Sequence, residues 1–239
     1  MTDVSALSHS DNELRTEAND PLLLSPESAH HLLTGAPWRR YAVLGDSLAR
    51  GVGDPSPGYP NSGWADRVTD ALRSVNPALS YLNTGRIGVT STQVIADQLQ
   101  SVLEFQPDLV HLSCGGNDLF TPGGSPDEVR ANLDTLFAAL TRNGAQICAF
   151  TLADVWDTDR MAPMRPMRDR MSVLNDIIRD LATRYDAVLV ELWDHPLRLR
   201  PDLMSEDLIH FTTSGHAVLA AEIIRALGHR IPSNTQAPA

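Results

Sequence analysis

Tyr41-Ala42-Val43-Leu44-Gly45-Asp46-Ser47-Leu48 is a short apolar run broken by a glycine and followed at once by an acid and a hydroxyl. The run reads as a β-strand that stops abruptly in a turn, because Gly45 can take backbone angles that other residues resist. From Arg40 onward, short β-rich runs of this kind alternate with longer amphipathic ones, the pattern of parallel strands joined by crossover helices. Strands are expected near residues 41–45, 79–83, 108–113, 146–151 and 187–191. Helices are expected near 63–75, 91–102, 126–142, 164–185 and 213–227. Leu109-Val110-His111-Leu112 and Ile147-Cys148-Ala149-Phe150 are almost continuously apolar, as strands covered on both faces should be.

Ligands of such sheets bind beyond the carboxyl ends of the strands. The conspicuous polar and Gly-rich clusters all follow strands. Asp46-Ser47 follows the first, Arg86-Ile87-Gly88-Val89-Thr90 the second, Gly115-Gly116-Asn117-Asp118 the third, and residues 154–160 the fourth. Asp207 and His210 fall between the fifth strand and the last helix, so five loops are expected to converge on one cleft.

A serine hydroxyl is a poor nucleophile near neutral pH and needs an imidazole within reach and a third group to orient it. Asp207 and His210, three residues apart, can set a carboxylate against Nδ1 while Nε2 faces outward. The pattern is that of a serine hydrolase with its nucleophile first and its base last. Each fragment also has an ordinary reading: a strand-Gly-Asp-Ser turn, a surface Asp-x-x-His turn, a turn glycine at Gly88 and a loop-capping amide at Asn117. In the catalytic reading, Gly88, Asn117 and the Ser47 backbone supply the donors that hold a developing oxyanion.

The 239 residues, 42% hydrophobic, suffice for one α/β domain with a sizeable core. A net charge of -11 speaks against nucleic-acid binding, which needs a basic face. The arginines of residues 160–170 read as a solvated helix face, with an anionic substrate group as the sharper alternative. No stretch is apolar for long enough to span a bilayer, and Met1-Thr2-Asp3-Val4 lacks a secretory signal's basic start and apolar core, so a cytoplasmic protein is expected. Cys114 and Cys148 read as small core residues rather than a disulfide or metal pair. The eight histidines include no convincing metal-ligand spacing. His30-His31 falls in a surface segment, and His111 in a buried strand. No metal or cofactor is expected.

Residues 1–20 are polar, acidic and aperiodic, which reads as a disordered tail. Residues 21–38 read as an extension carrying a short packed helix, because Ser25-Pro26-Glu27 is an N-cap followed by Pro at the first helical position. The main domain is expected over 39–230, with a flexible tail at 231–239.

Gly45-Asp46-Ser47-Leu48, Asn83-Thr84-Gly85-Arg86-Ile87-Gly88-Val89-Thr90, Gly115-Gly116-Asn117-Asp118 and Asp207-Leu208-Ile209-His210 resemble, in order and approximate spacing, the blocks of the SGNH (GDSL) hydrolases. The resemblance runs from about Tyr41 to Leu227. It implies a flavodoxin-like three-layer α/β/α sandwich with strand order 2-1-3-4-5. It also implies Ser47 as nucleophile, His210 as general base and then acid, and Asp207 as its orienting partner. The oxyanion hole would comprise the N–H groups of Ser47 and Gly88 and the amide of Asn117. Phe211 departs from the proline that often follows the family's histidine, while Thr213-Ser214-Gly215-His216 resembles the entry to the last helix, making His216 a helix residue. Gly51-Val52-Gly53-Asp54 and Gly63-Trp64-Ala65-Asp66 resemble a bacterial, cytoplasmic subgroup.

The activity implied is hydrolysis of small or medium acyl esters through an acyl-enzyme. An acyltransferase using the same intermediate is the alternative, and a non-catalytic flavodoxin-like binding module a third, although the first strand is not followed by Gly-x-Gly-x-x-Gly. The family acts on lipids, aryl esters, thioesters and acetylated sugars, so neither a single substrate nor an oligomeric state follows. Residues 155–167, rich in Met, Pro and Arg, and residues 119–124 are the candidate cleft walls.

Overall fold

The computed structural model describes residues 14–232. Five strands, β1 (Arg40–Gly45), β2 (Ser80–Asn83), β3 (Leu109–Ser113), β4 (Gln146–Phe150) and β5 (Val188–Val190), form an all-parallel sheet in the order β2-β1-β3-β4-β5. This is the expected flavodoxin-like order. β1 and β3 run in step from Tyr41↔Leu109 to Gly45↔Ser113, so their carboxyl ends finish side by side. Their residues are apolar on both faces because both faces are covered.

The helices are α1 (Pro26–Leu33), α3 (Trp64–Val75), α4 (Ser91–Asp97), α5 (Leu99–Phe105), α7 (Pro126–Arg142), α8 (Arg168–Arg184) and α9 (Thr213–Arg230), with two short ones, α2 (Ser47–Arg50) and α6 (Gly116–Phe120), directly after β1 and β3. α1, α3 and α9 pack against one another, while α7 packs on α4 and α8. α9 is apolar nearly all round because it lies between the sheet edge at β5 and the α1/α3 pair. Ser25 caps α1 by accepting from the Ser28 N–H at 3.1 Å, with Pro26 in the first turn, as its sequence anticipates. Tyr41, Val43 and Leu44 of β1, Leu109 and Val110 of β3, Trp64 and Phe137 are among the buried residues of the core.

Three expectations change. The helix expected over 91–102 divides at Gln98, whose side chain is drawn to Gly45. The helix expected over 164–185 begins as a 3₁₀ segment, Asp159–Met167, and becomes α-helical only at Arg168. Pro163 and Pro166 lack N–H donors and disfavour α geometry in the residues before them. The tail expected up to Asp20 is anchored from Arg15 onward, where Arg15 pairs with Asp202 and Asp20 meets Arg200 across 180 residues with both Asp20 and Arg200 buried. Residues 1–13 and 233–239 of the two expected tails lie outside the described residues.

Cys114 and Cys148 are buried free thiols. His111 is fully buried between the Tyr41 and Trp64 rings, and burial pushes its pKa down to about 3, so it is neutral. His30 and His31 are exposed on α1, and His216 is buried in α9.

Candidate active site

Ser47 stands where β1 ends, as the first residue of α2. Gly45 is required there: it has φ of 140°, and a Cβ would sit 1.8 Å from the Ser113 carbonyl oxygen, which also accepts the Asp46 N–H at 3.0 Å. Gln98 clamps the same turn through both ends of its amide. Its Nε2 donates to the Gly45 carbonyl at 2.8 Å, and its Oε1 accepts the Gly45 N–H at 2.9 Å. The Asp46 side chain caps α2 by accepting the Leu48 N–H at 3.0 Å. Burial raises the Asp46 carboxyl to about 6, against the opposing pull of the Leu48 N–H and of His210.

The histidine is held in a small closed loop. Met204 pairs with Phe211 in an antiparallel bridge, and the Ser205 N–H donates to the His210 carbonyl at 2.8 Å. Leu208, with φ of 60°, turns the chain so that Asp207 Oδ1 accepts the N–H groups of Ile209 and His210 at 2.9 and 3.0 Å. Asp207 Oδ2 lies 2.6 Å from His210 Nδ1, and His210 Nε2 lies 2.6 Å from Ser47 Oγ. An ionised carboxylate can only accept, so Nδ1 carries the hydrogen and Nε2 is left to accept from the Ser47 hydroxyl. Burial alone would raise the Asp207 carboxyl, but bonds from the His210 ring and the two backbone N–H groups outweigh it and hold the group below its ordinary value.

Ser47 and His210 are 163 residues apart, and a polar seam joins the segments that carry them. The Thr213 N–H donates to the Asp54 carbonyl at 2.9 Å, and the Asp54 N–H donates to Ser205 Oγ at 2.8 Å. The Glu206 N–H donates to the Asp54 carboxylate at 2.8 Å, and the Ser56 N–H to Thr213 Oγ1 at 2.7 Å. His216 Nε2 lies 3.0 Å from the Val52 carbonyl oxygen, so His216 serves this seam. Gly53 leaves no room for a side chain, since a Cβ would come within 1.8 Å of the Phe211 carbonyl oxygen. Phe211, where the family often has proline, is buried and keeps the loop closed.

Asn117 enters from α6. One hydrogen of its Nδ2 is donated to the Val89 carbonyl at 2.9 Å, which fixes the amide beside Gly88 and leaves the second hydrogen for another acceptor. Asp118 ties the same two loops by accepting the Ser91 N–H at 2.9 Å and the Ser91 hydroxyl at 2.6 Å. Among the described residues no protein acceptor takes the N–H of Ser47 or Gly88. Ser47, His210 and Asn117 line a cavity of about 90 Å³, whose other walls are mostly apolar: Phe120, Trp156, Met161, Met164, Met171 and Met204 stand out. Gly88 lies outside this lining.

The structure therefore brings Ser47, Asp207, His210 and Asn117 together, with Gly88 one residue from the Asn117 anchor. The arginines of 160–170 are engaged within the protein. Arg160 and Arg165 donate to the Ser205 and Trp156 carbonyls, Arg168 pairs with buried Asp154, and Arg170 donates to Gly124. Sequence reasoning missed Gln98, a polar residue on the buried side of an expected helix, where the break in amphipathic pattern was the available signal. It also missed the seam roles of Asp54 and Ser56, for which no local signal exists.

The model of the GDSL-like Lipase/Acylhydrolase family matches residues 43–218. An arylesterase from Vibrio mimicus is 25% identical over 168 residues, covering 70% of this chain and 78% of its own length. Among solved structures, an α/β-hydrolase enzyme from the metagenome of Lake Arreo, Spain, aligns with a TM-score of 0.65 at 24% identity, covering 82% of this chain and 97% of that one. A lipase/acylhydrolase from Enterococcus faecalis aligns with a TM-score of 0.65 at 21% identity, covering 83% and 100%. At these identities the structural likenesses speak for the fold, while the family match spans the nucleophile turn, the asparagine loop and the histidine loop. The chain belongs to the GDSL-like lipase/acylhydrolase family and is an ester-hydrolysing enzyme.

Proposed function

We propose that the protein is a serine esterase for small or medium apolar acyl groups, working through an acyl-enzyme on Ser47. The observation that carries this reading is the unbroken chain Ser47 Oγ, His210 Nε2, His210 Nδ1 and Asp207 Oδ2, with 2.6 Å at each hydrogen-bonded step. His210 takes the hydroxyl proton as Ser47 attacks the ester carbonyl, then returns it to the leaving alcohol. Asp207, ionised and doubly held by backbone N–H groups, fixes the imidazole tautomer and offsets its positive charge. The free N–H groups of Ser47 and Gly88 and the second hydrogen of Asn117 Nδ2 receive the oxyanion, where charge develops. Water, activated by the same histidine, releases the acid.

The apolar cavity beside Ser47 supports an acyl group without charge. A second cavity of about 50 Å³ shares Asp46, Leu48, Gly116 and Leu152 with it and is otherwise lined mainly by core side chains.

The test is hydrolysis of nitrophenyl esters of increasing acyl length by the native protein and by Ser47→Ala. The substitution should cost at least about three orders of magnitude in kcat, as removal of a triad nucleophile does. Equal rates in the two proteins would overturn the reading. Adding alcohol acceptors to the native reaction separates hydrolysis from transfer, since an acyltransferase would yield new esters in place of free acid.

A further inference from the structure

The family match begins at residue 43, yet Arg15, Glu17 and Asp20 make polar contacts with two loops of the matched domain, and the Leu22 and Leu23 carbonyls accept from Arg225 on α9. Asp20 forms a two-pronged pair with Arg200, at 2.5 Å from Nη2 and 2.8 Å from Nη1, and the side chains are 0% and 7% exposed. The same carboxylate accepts the Tyr59 hydroxyl at 2.7 Å. Arg15 pairs with Asp202, Glu17 with Arg67 at 2.8 Å, and the Glu17 N–H donates to the Gly58 carbonyl at 3.0 Å. One short segment thus grips residues 58–67 and residues 200–202 at once.

Those two grips lie on the stems of the two site-bearing loops. Residues 58–59 continue the 52–56 stretch of the seam. Residues 200–202 lead directly into the histidine loop: Thr212 Oγ1 donates to the Asp202 carbonyl at 2.8 Å, and the Thr212 N–H to Leu203 at 2.8 Å. Phe211 and His210 follow on the same closed loop. A buried ion pair is a weak source of net stability, because desolvation offsets much of its attraction. Its bidentate geometry instead fixes orientation.

We propose that residues 14–24 form an intramolecular clamp that sets the histidine loop against Ser47, with Asp20 as a positioning residue for the reaction. The inference rests on the reading of Ser47, Asp207 and His210 as the reacting set. Asp20 touches neither substrate nor triad; it acts through Arg200 and the 200–204 stem.

The experiment uses the full chain carrying Asp20→Asn, the milder Arg15→Ala, and the double replacement Asp20→Leu/Arg200→Met, which removes the charges without leaving one unpaired. Each is assayed with nitrophenyl acetate at a temperature where circular dichroism shows it folded. Hydrogen exchange is followed in the peptide covering residues 203–212. We expect kcat to fall about tenfold in Asp20→Asn with KM within about twofold, below the roughly hundredfold cost of a full 1 Å misplacement. The pH–rate profile of kcat should shift, and exchange in 203–212 should quicken. The double replacement should keep the low kcat even where its Tm equals that of the native protein, and Arg15→Ala should show a smaller loss in the same direction.

Unchanged exchange in the folded variants would show that the segment does not hold the loop. Faster exchange with native kcat and pH profile would show that it holds the loop without positioning the reaction. Either result overturns the proposal. The exchange measurement is independent of which residue is the nucleophile, so failure of the clamp is distinguishable from failure of the Ser47 mechanism.

Discussion

The two sides of the cleft are built on different physics. On one side, residues 52–56 and 205–216 are joined by hydrogen bonds of 2.7 to 3.2 Å that run between backbone groups, Ser and Thr hydroxyls, the His216 ring and the Asp54 carboxylate. On the other, Trp156, Met161, Met164 and Met171 line the cavity with apolar atoms, and the 3₁₀ segment carrying two of them is tied mainly by Arg160 and Arg165 to carbonyls. Hydrogen bonds have narrow distance and angle ranges, so the seam holds reacting atoms in one arrangement. Methionine is unbranched and conformationally adaptable, so the opposite wall can fit more than one acyl shape. On the proposed mechanism, the polar side governs whether reaction occurs and the apolar side on what.

That division is broken most directly from the polar side. Asn117→Ala removes one proposed oxyanion donor and the Val89 anchor together, and kcat should fall by about two to three orders of magnitude across every ester tested. A loss confined to one chain length would mean that Asn117 serves specificity. Next in size is Gly53→Ala, whose new Cβ meets the Phe211 carbonyl. The seam must open to admit it, costing roughly 1–3 kcal/mol of stability by analogy with overpacked cores. We expect kcat to drop about tenfold in the folded enzyme, again uniformly across esters. Native kcat in a variant with lowered Tm would show that the seam supports the fold alone.

Asp46 sharpens the comparison from the thermodynamic side. Its pKa is raised by burial to about 6, above the ordinary value of 3.8, so between those values the folded state binds more protons than the unfolded. Stability from this group is therefore present at low pH and declines as pH rises through about 6. Asp46→Asn keeps an oxygen for the Leu48 N–H and removes the buried charge. It should raise stability by up to about 3 kcal/mol at pH 7.5, from two pKa units at 1.36 each, with the gain vanishing near pH 4. Urea unfolding at the two pH values checks it, and an equal gain at both would refute the assignment.

The fold was largely legible because buried parallel strands are apolar runs ended by glycine, and each such run here carries its polar cluster on the same side. Ser47 and Asn117 were legible for the same reason, each being a polar type just beyond a strand, while Asp207 and His210 were legible as an Asp-x-x-His pair in the connection from the last strand to the last helix. What escaped depended on partners far along the chain. Asp20 sits in an acidic, aperiodic stretch and looks like part of a tail until Arg200 is beside it. Gln98 looks like one more helical residue until Gly45 is beside it. The 3₁₀ start of the α8 region was marked locally by Pro163 and Pro166, three apart, but a Met- and Arg-rich sequence is compatible with a helix apart from them.

The smallest expected effect belongs to the apolar wall. Met164 is partly exposed and lines the cavity, so shortening it removes acyl contact without opening the fully buried core, where Met161 lies. In Met164→Ala, nitrophenyl acetate should be hydrolysed within about twofold of the native rate, because an acetyl group reaches little of that wall. For acyl chains of several carbons the pocket is larger, and kcat/KM should change about tenfold, the lower end of the 10–200-fold that one methylene in an apolar pocket can command. The change should appear in the ratio of long to short esters, with the pH profile unaltered. A fall that is equal for all esters would mean that the methionine wall also holds the catalytic loops, and the separation of the two sides would fail. Gain on longer chains with acetate untouched would show that the wall sets acyl length and nothing else.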